Sequence, residues 1–96
     1  MTYSQFCVYI MTNEQRSKLY TGYTGNLKQR VAAHRSGNGS VYVRRYNLVR
    51  LVYYETVEDI AAAKLREKQI KRGGKPKRLS LIMAMNPDWA DLYDRL

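Results

Sequence analysis

The chain is 96 residues long, 45% hydrophobic and 26% charged, which leaves room for one domain with a modest core, excludes a separate regulatory module and is the balance of a folded rather than a disordered protein. Its 17 Lys and Arg against 8 acids give a net charge of +9, which suits a polyanion, nucleic acid ahead of an anionic membrane, although solubility alone would also use a basic surface. A single cysteine, Cys7, excludes a disulfide framework or thiolate cage, and without a signal-type segment or a membrane-length apolar run a cytoplasmic protein is expected.

Phe6 to Met11 is an unbroken apolar run and predicts a central strand, with Phe6, Val8 and Ile10 on one face and Cys7, Tyr9 and Met11 on the other. Polar Thr12 to Lys18 suits a hairpin turn, and Leu19 to Tyr23 returns as a second strand near Gly22 and Gly25. Antiparallel pairing would bring Tyr9 and Tyr20 together on one face. Two strand tyrosines taken alone fit ordinary half-buried packing.

Asn26 is a good N-cap for a helix over Leu27 to Ser36, and Gly37 is a good terminator. Leu27, Arg30, Val31 and His34 share one stripe of that helix, so Arg30 and His34 are expected to face inward or into a cleft. A guanidinium can hold two phosphoryl oxygens at once, and a histidine one turn away can orient or protonate an oxygen. His34 alone fits a structural histidine equally well; the pair is the stronger signal.

Gly37-Asn38-Gly39 opens a flexible segment into Val41 to Tyr46, where Arg44, Arg45 and Tyr46 suit phosphates and exposed bases or, more plainly, a solvated strand edge. Leu48 to Tyr54 predicts the third strand. Thr56 and Asp59 look like a capping pair for a helix over Val57 to Arg72, stopped by Gly73-Gly74 and Pro76. Val57, Ile60, Ala63, Glu67 and Ile70 fall on its inward stripe, and Glu67 is the one acid between Asp59 and Asp88. An inward carboxylate needs a partner. Either Lys64 or Lys71 pairs with it, or it holds a hard cation such as Mg²⁺ or Mn²⁺. Tyr23, Lys64, Lys68, Lys71 and Arg72 join the candidate nucleic-acid contacts. Leu79 to Met85 predicts a further helix, and Asn86-Pro87-Asp88 the start of a last one, with Trp89, Leu92, Tyr93 and Leu96 facing the core. The expectation is an α+β fold over residues 1–96: a small three-stranded antiparallel sheet flanked by helices in the order β-β-α-β-α-α.

Cys7-Val8-Tyr9, Tyr20-Thr21-Gly22, Arg30, His34 and Glu67 together resemble the GIY-YIG nuclease domain, closest to its small standalone branch. Most of the chain is covered, with the specific motifs between Val8 and Glu67. Cys7 stands where the first signature has Gly, Val8 where it has Ile, and Thr21 where the second has Ile; both tyrosines and Gly22 are kept. The resemblance implies metal-dependent hydrolysis of phosphodiesters in nucleic acid, DNA more than RNA. Glu67 would hold Mg²⁺ or Mn²⁺, Tyr9 would act as base or position water, and Arg30 would neutralise charge on phosphorus. Tyr20 and His34 would orient the phosphate or relay a proton. The family often has a downstream Asn, for which Asn86 is the candidate, and capping explains Asn86 equally. The alternative is a nucleic-acid-binding module with little or no cleavage, and specificity would come from substrate shape or a partner protein.

Overall fold

The computed structural model describes residues 5–96. Strand β1, Phe6–Thr12, is central because its run of apolar side chains must be covered on both faces. It pairs antiparallel with β2, Leu19–Thr24, on one side and β3, Arg50–Val57, on the other, giving the order β2-β1-β3. The expected alternation holds. Cys7, Tyr9 and Met11 pack with Leu27, Val31, Val43, Leu48, Leu51 and Leu92 on one face. On the other, Val8 meets Ala63 and Ile70, while Ile10 meets Val52, Tyr53, Ile82 and Trp89. Val8, Ile10 and Met11 are fully buried, each worth about 1.5–3 kcal/mol of transfer free energy.

Helices α1, Leu27–Arg35, and α2, Val41–Tyr46, supply the first cover. Helices α3, Ile60–Arg72, and α4, Gly74–Met85, supply the second. Asn26 caps α1 as expected, its side chain accepting from the Gln29 amide at 3.1 Å. A bulge between Ile10 and Met11 pairs them with Tyr53 and Leu51, so Val52 is the extra residue and both Val52 and Tyr53 reach the Ile10 cluster. Asn13 closes the hairpin, its amide oxygen accepting from the Ser17 amide at 2.9 Å.

The α+β architecture is as expected, with one more helix than the predicted order. Val41 to Tyr46 is α2, not a loop or strand edge: Ser40 Oγ accepts from the Val43 amide at 3.2 Å, and left-handed Asn47 ends the helix. Two caps and burial of Val43 override the strand preference of Val-Tyr-Val. Strand β3 extends through Val57, so the cap of α3 is Asp59, whose side chain accepts from the Ala62 amide at 2.8 Å. Val57 therefore leaves the predicted helical stripe, and Ile60 is 48% exposed. Helix α4 starts at Gly74, with Pro76 inside its first turn, where a missing amide hydrogen costs nothing. No helix follows Pro87. Trp89 takes a positive φ of 56°, and only a short 3₁₀ turn, Leu92–Arg95, forms at the end. Among the described residues no helix is long and apolar enough to cross a membrane.

Candidate active site

The edge strand β2 positions the site. Met11 pairs with Tyr20 and Tyr9 with Gly22, so both phenols lie on the face covered by α1, with ring centroids 6.2 Å apart. A methyl group on Gly22 would sit 2.7 Å from the Tyr9 phenol oxygen and 3.0 Å from the Tyr20 ring. Only glycine lets the two rings lie over the strand there, which gives the Tyr-Thr-Gly sequence a steric reason. Cys7, in place of a glycine, occupies ordinary strand backbone; the positive-φ side-chain-bearing residues among those described are Arg16, Asn47 and Trp89. The substitution leaves the strand entrance regular, and Thr21 is simply buried.

The stripe on α1 divides. Leu27, Val31 and His34 are buried, whereas Arg30 is exposed at the rim. His34 Nε2 lies 2.9 Å from the Tyr9 hydroxyl, and the His34 ring is 5.5 Å from that of Tyr20. Among the described residues its Nδ1 has no hydrogen-bond partner, and it abuts Gly39, where a Cβ would come within 2.1 Å. Gly39 is thus a packing requirement for His34. In sequence Gly39 signals only a flexible segment, because the approach of His34 exists only in the fold.

Burial, then the charge of Arg30, lowers the His34 pKa below its ordinary value, so the imidazole is neutral at pH 7. Burial, followed by the neighbouring Tyr20 phenol, pushes the Tyr9 phenol above its ordinary range; Arg30 opposes this and Glu67 adds to it. Arg30 and Glu67 thus both lie within electrostatic reach of Tyr9, although α3 packs on the opposite face of the sheet. Glu67 is mostly sheltered, its side chain 19% exposed, and it pairs with Lys71 one turn on at 3.3 Å. Of the two lysines considered as partners, Lys71 is the one that binds it.

The remaining candidates scatter. Arg44 and Arg45 are exposed on α2, and Tyr46 is half-buried with Lys18 and Arg45 over its ring at 5.1 and 5.6 Å. Lys64, Lys68, Lys71 and Arg72 are exposed on α3, whereas Tyr23 packs beneath that helix against the Val8 cluster. Asn86 is away from the site, across β1 from the β2 edge. It is buried, donating to the carbonyls of Val52 at 3.1 Å and Ala90 at 2.8 Å and accepting from the Ala90 amide at 3.1 Å. Its side chain latches the C-terminal segment to β3, and it caps the end of α4 rather than the start of another helix.

Residues 5–80 match the family model of the GIY-YIG catalytic domain. The chain is 43% identical over 75 residues to a UPF0213 protein of Clostridium perfringens, covering 78% of this chain and 80% of that one. It is 39% identical over 75 residues to a UPF0213 protein of Natronomonas pharaonis, covering 78% and 87%. The solution NMR structure of a UPF0213 protein from Bacillus halodurans matches with a TM-score of 0.57 at 26% identity, covering 91% of this chain and 92% of that one. With its two tyrosine signatures on adjacent strands and this span of agreement, the chain belongs to the GIY-YIG catalytic-domain family.

Proposed function

We propose that the protein is a divalent-metal-dependent endonuclease that hydrolyses phosphodiester bonds in nucleic acid, DNA ahead of RNA. One observation carries the reading: a buried Tyr9–His34 pair within electrostatic reach of one cation, Arg30, and one carboxylate, Glu67. A module that only binds phosphates needs lysines and arginines. It has no use for a sequestered phenol and imidazole within electrostatic reach of a carboxylate.

The donor set fits a hard cation held at Glu67. Among the described residues no three His, Cys, Asp or Glu side chains group as a metal cage, which argues against a zinc-type site. Mg²⁺ or Mn²⁺ suits one carboxylate with water and substrate oxygens, and Lys71, 53% exposed, is free to swing off Glu67. Held at Glu67, such an ion would supply Lewis-acid stabilisation of the charge that develops as a phosphodiester is cleaved.

The chain's own groups do the rest. Because burial keeps the Tyr9 phenol protonated, it serves as a two-way hydrogen-bonding group rather than a free phenolate. Its oxygen takes the proton of the attacking water as its own proton passes to Nε2 of neutral His34. Arg30, exposed at the rim, neutralises charge building on the phosphoryl oxygens. Tyr20, edge-on to His34, orients the phosphate.

The test incubates plasmid, single-stranded DNA and RNA with Mg²⁺ or Mn²⁺, with and without chelator, for the native protein and Glu67→Gln. The native protein should cleave in a chelator-sensitive way, and the variant should lose about 10²–10³-fold or more. Its melting temperature should scarcely move, since an i,i+4 pair is worth about 0.3–0.5 kcal/mol. A fully active variant ends this reading. Binding without chelator-sensitive cleavage leaves the nucleic-acid-binding module.

A further inference from the structure

Beside the site, the start of β2 opens onto a groove of about 240 Å³ lined by Ser17, Lys18, Leu19, Tyr42, Lys75 and Arg78. Three of its six lining residues are cations, and none is an acid. The lining comes from three separate parts of the chain, the hairpin end, α2 and α4, and the cations from the first and the last. Arg78 is held in place by donating from Nε to the Gly74 carbonyl at 3.3 Å, while Lys18 and Lys75 are exposed, Lys18 resting over the Tyr46 ring. Tyr42 links groove and site, its ring 6.5 Å from that of Tyr20 and 5.0 Å from that of Tyr46. The groove therefore continues along the same sheet edge as the Tyr9–His34 pair, separated from it by the tyrosines themselves.

We infer that Lys18, Lys75 and Arg78 form a second phosphate subsite, which holds the sugar-phosphate backbone of the strand flanking the cleaved bond. This rests on the phosphodiesterase reading of the neighbouring site and names part of how that site takes its substrate. Three like charges converging on one groove repel each other in the free protein, and an anion between them relieves that repulsion. Two exposed lysines and one anchored arginine can hold a backbone without reading bases, and the exposed Tyr42 ring walls the groove with a surface that a sugar or base can cover.

The experiment measures anisotropy of a fluorescein-labelled single-stranded oligodeoxynucleotide in EDTA, across a KCl series, so that no cleavage is required. Lys18→Gln with Lys75→Gln is compared with Lys28→Gln with Arg95→Gln, all four residues being exposed and the second pair outside the groove. The groove pair should weaken binding about tenfold or more at low salt and flatten the log–log salt slope by about 1.4, two contacts at about 0.7 each on a single strand. The control pair should leave the slope unchanged. Equal losses in both pairs would mean net charge alone and overturn the subsite, as would an unaltered slope in the groove pair. Loss of chelator-sensitive cleavage in Glu67→Gln is read separately, so either conclusion can fail while the other stands.

Discussion

Two tyrosines of the sheet sit in opposite kinds of polar network. Tyr53 donates to Glu55, and Arg66 donates to both oxygens of the same carboxylate. Burial, then the Glu55 hydrogen bond and charge, pushes the Tyr53 phenol up to about 12. Burial works against the Glu55 charge, but the hydrogen bonds from Arg66 and Tyr53 bring its pKa below the ordinary value. Every charge there is answered. The Tyr9–His34 pair is buried more deeply yet less fully answered: among the described residues Nδ1 of His34 has no partner, Arg30 reaches solvent, and Glu67 pairs with exposed Lys71. A closed network braces β3 against α3, whereas the other is the one that the proposed function puts to work.

The largest expected effect comes from a deletion in the Tyr9–His34 network. Tyr9→Phe removes the phenol to which the proposed mechanism gives the proton of the attacking water, and on that proposal cleavage should fall about 10²–10⁴-fold. It also strips Nε2 of its buried partner, so unfolding free energy should fall by about 1–3 kcal/mol. Cleavage assays at saturating substrate and denaturant melts read the two effects separately. An active Tyr9→Phe protein would remove the phenol from the mechanism.

The closed network should show the reverse balance. Glu55→Gln leaves half-buried Arg66 without its carboxylate and buried Tyr53 with a weaker acceptor, so stability should drop by about 1–2 kcal/mol. Turnover per folded molecule should hold within about twofold, since these groups touch no part of the proposed site. A large loss of turnover in correctly folded Glu55→Gln would erase the contrast between the two networks.

The two networks also differ in how far the sequence discloses them. The period-two pattern of Phe6 to Met11 and the Asn26 cap are local, and both faces of β1 and the start of α1 follow from them. Tyr9, Tyr20 and His34 meet because a hairpin and the next helix bring neighbours in sequence together in space. The Tyr53–Glu55–Arg66 network depends on a bulge that re-aims Val52 and Tyr53, and on how α3 crosses β3, neither of which a local pattern records. Helix α2 was hidden because Val-Tyr-Val prefers a strand, although Ser40 and Asn47 mark its two ends. Asn86 reads as a local cap, yet its bond to Val52 spans 34 residues. The groove of Lys18, Tyr42, Lys75 and Arg78 is assembled from segments that only the fold makes adjacent.

The smallest effect separates the networks by pH. His34 has a folded pKa below its ordinary value of 6.5, so the unfolded chain takes up a proton first as acid is added. Stability is therefore undiminished above pH 6.5 and declines as pH falls below it, by at most about 1.4 kcal/mol per pH unit for one proton. Glu55 has the same sign lower down: its contribution is complete above 4.5 and is lost as pH falls through its depressed folded value. Thermal melts across this range should show a shallow decline beginning near neutrality and a steeper one in acid. In His34→Gln the upper decline should vanish while the lower one stays. A native profile flat down to the carboxylate range would mean that His34 carries its proton as easily inside the fold as outside it, and the neutral imidazole beside Tyr9 would have to be abandoned.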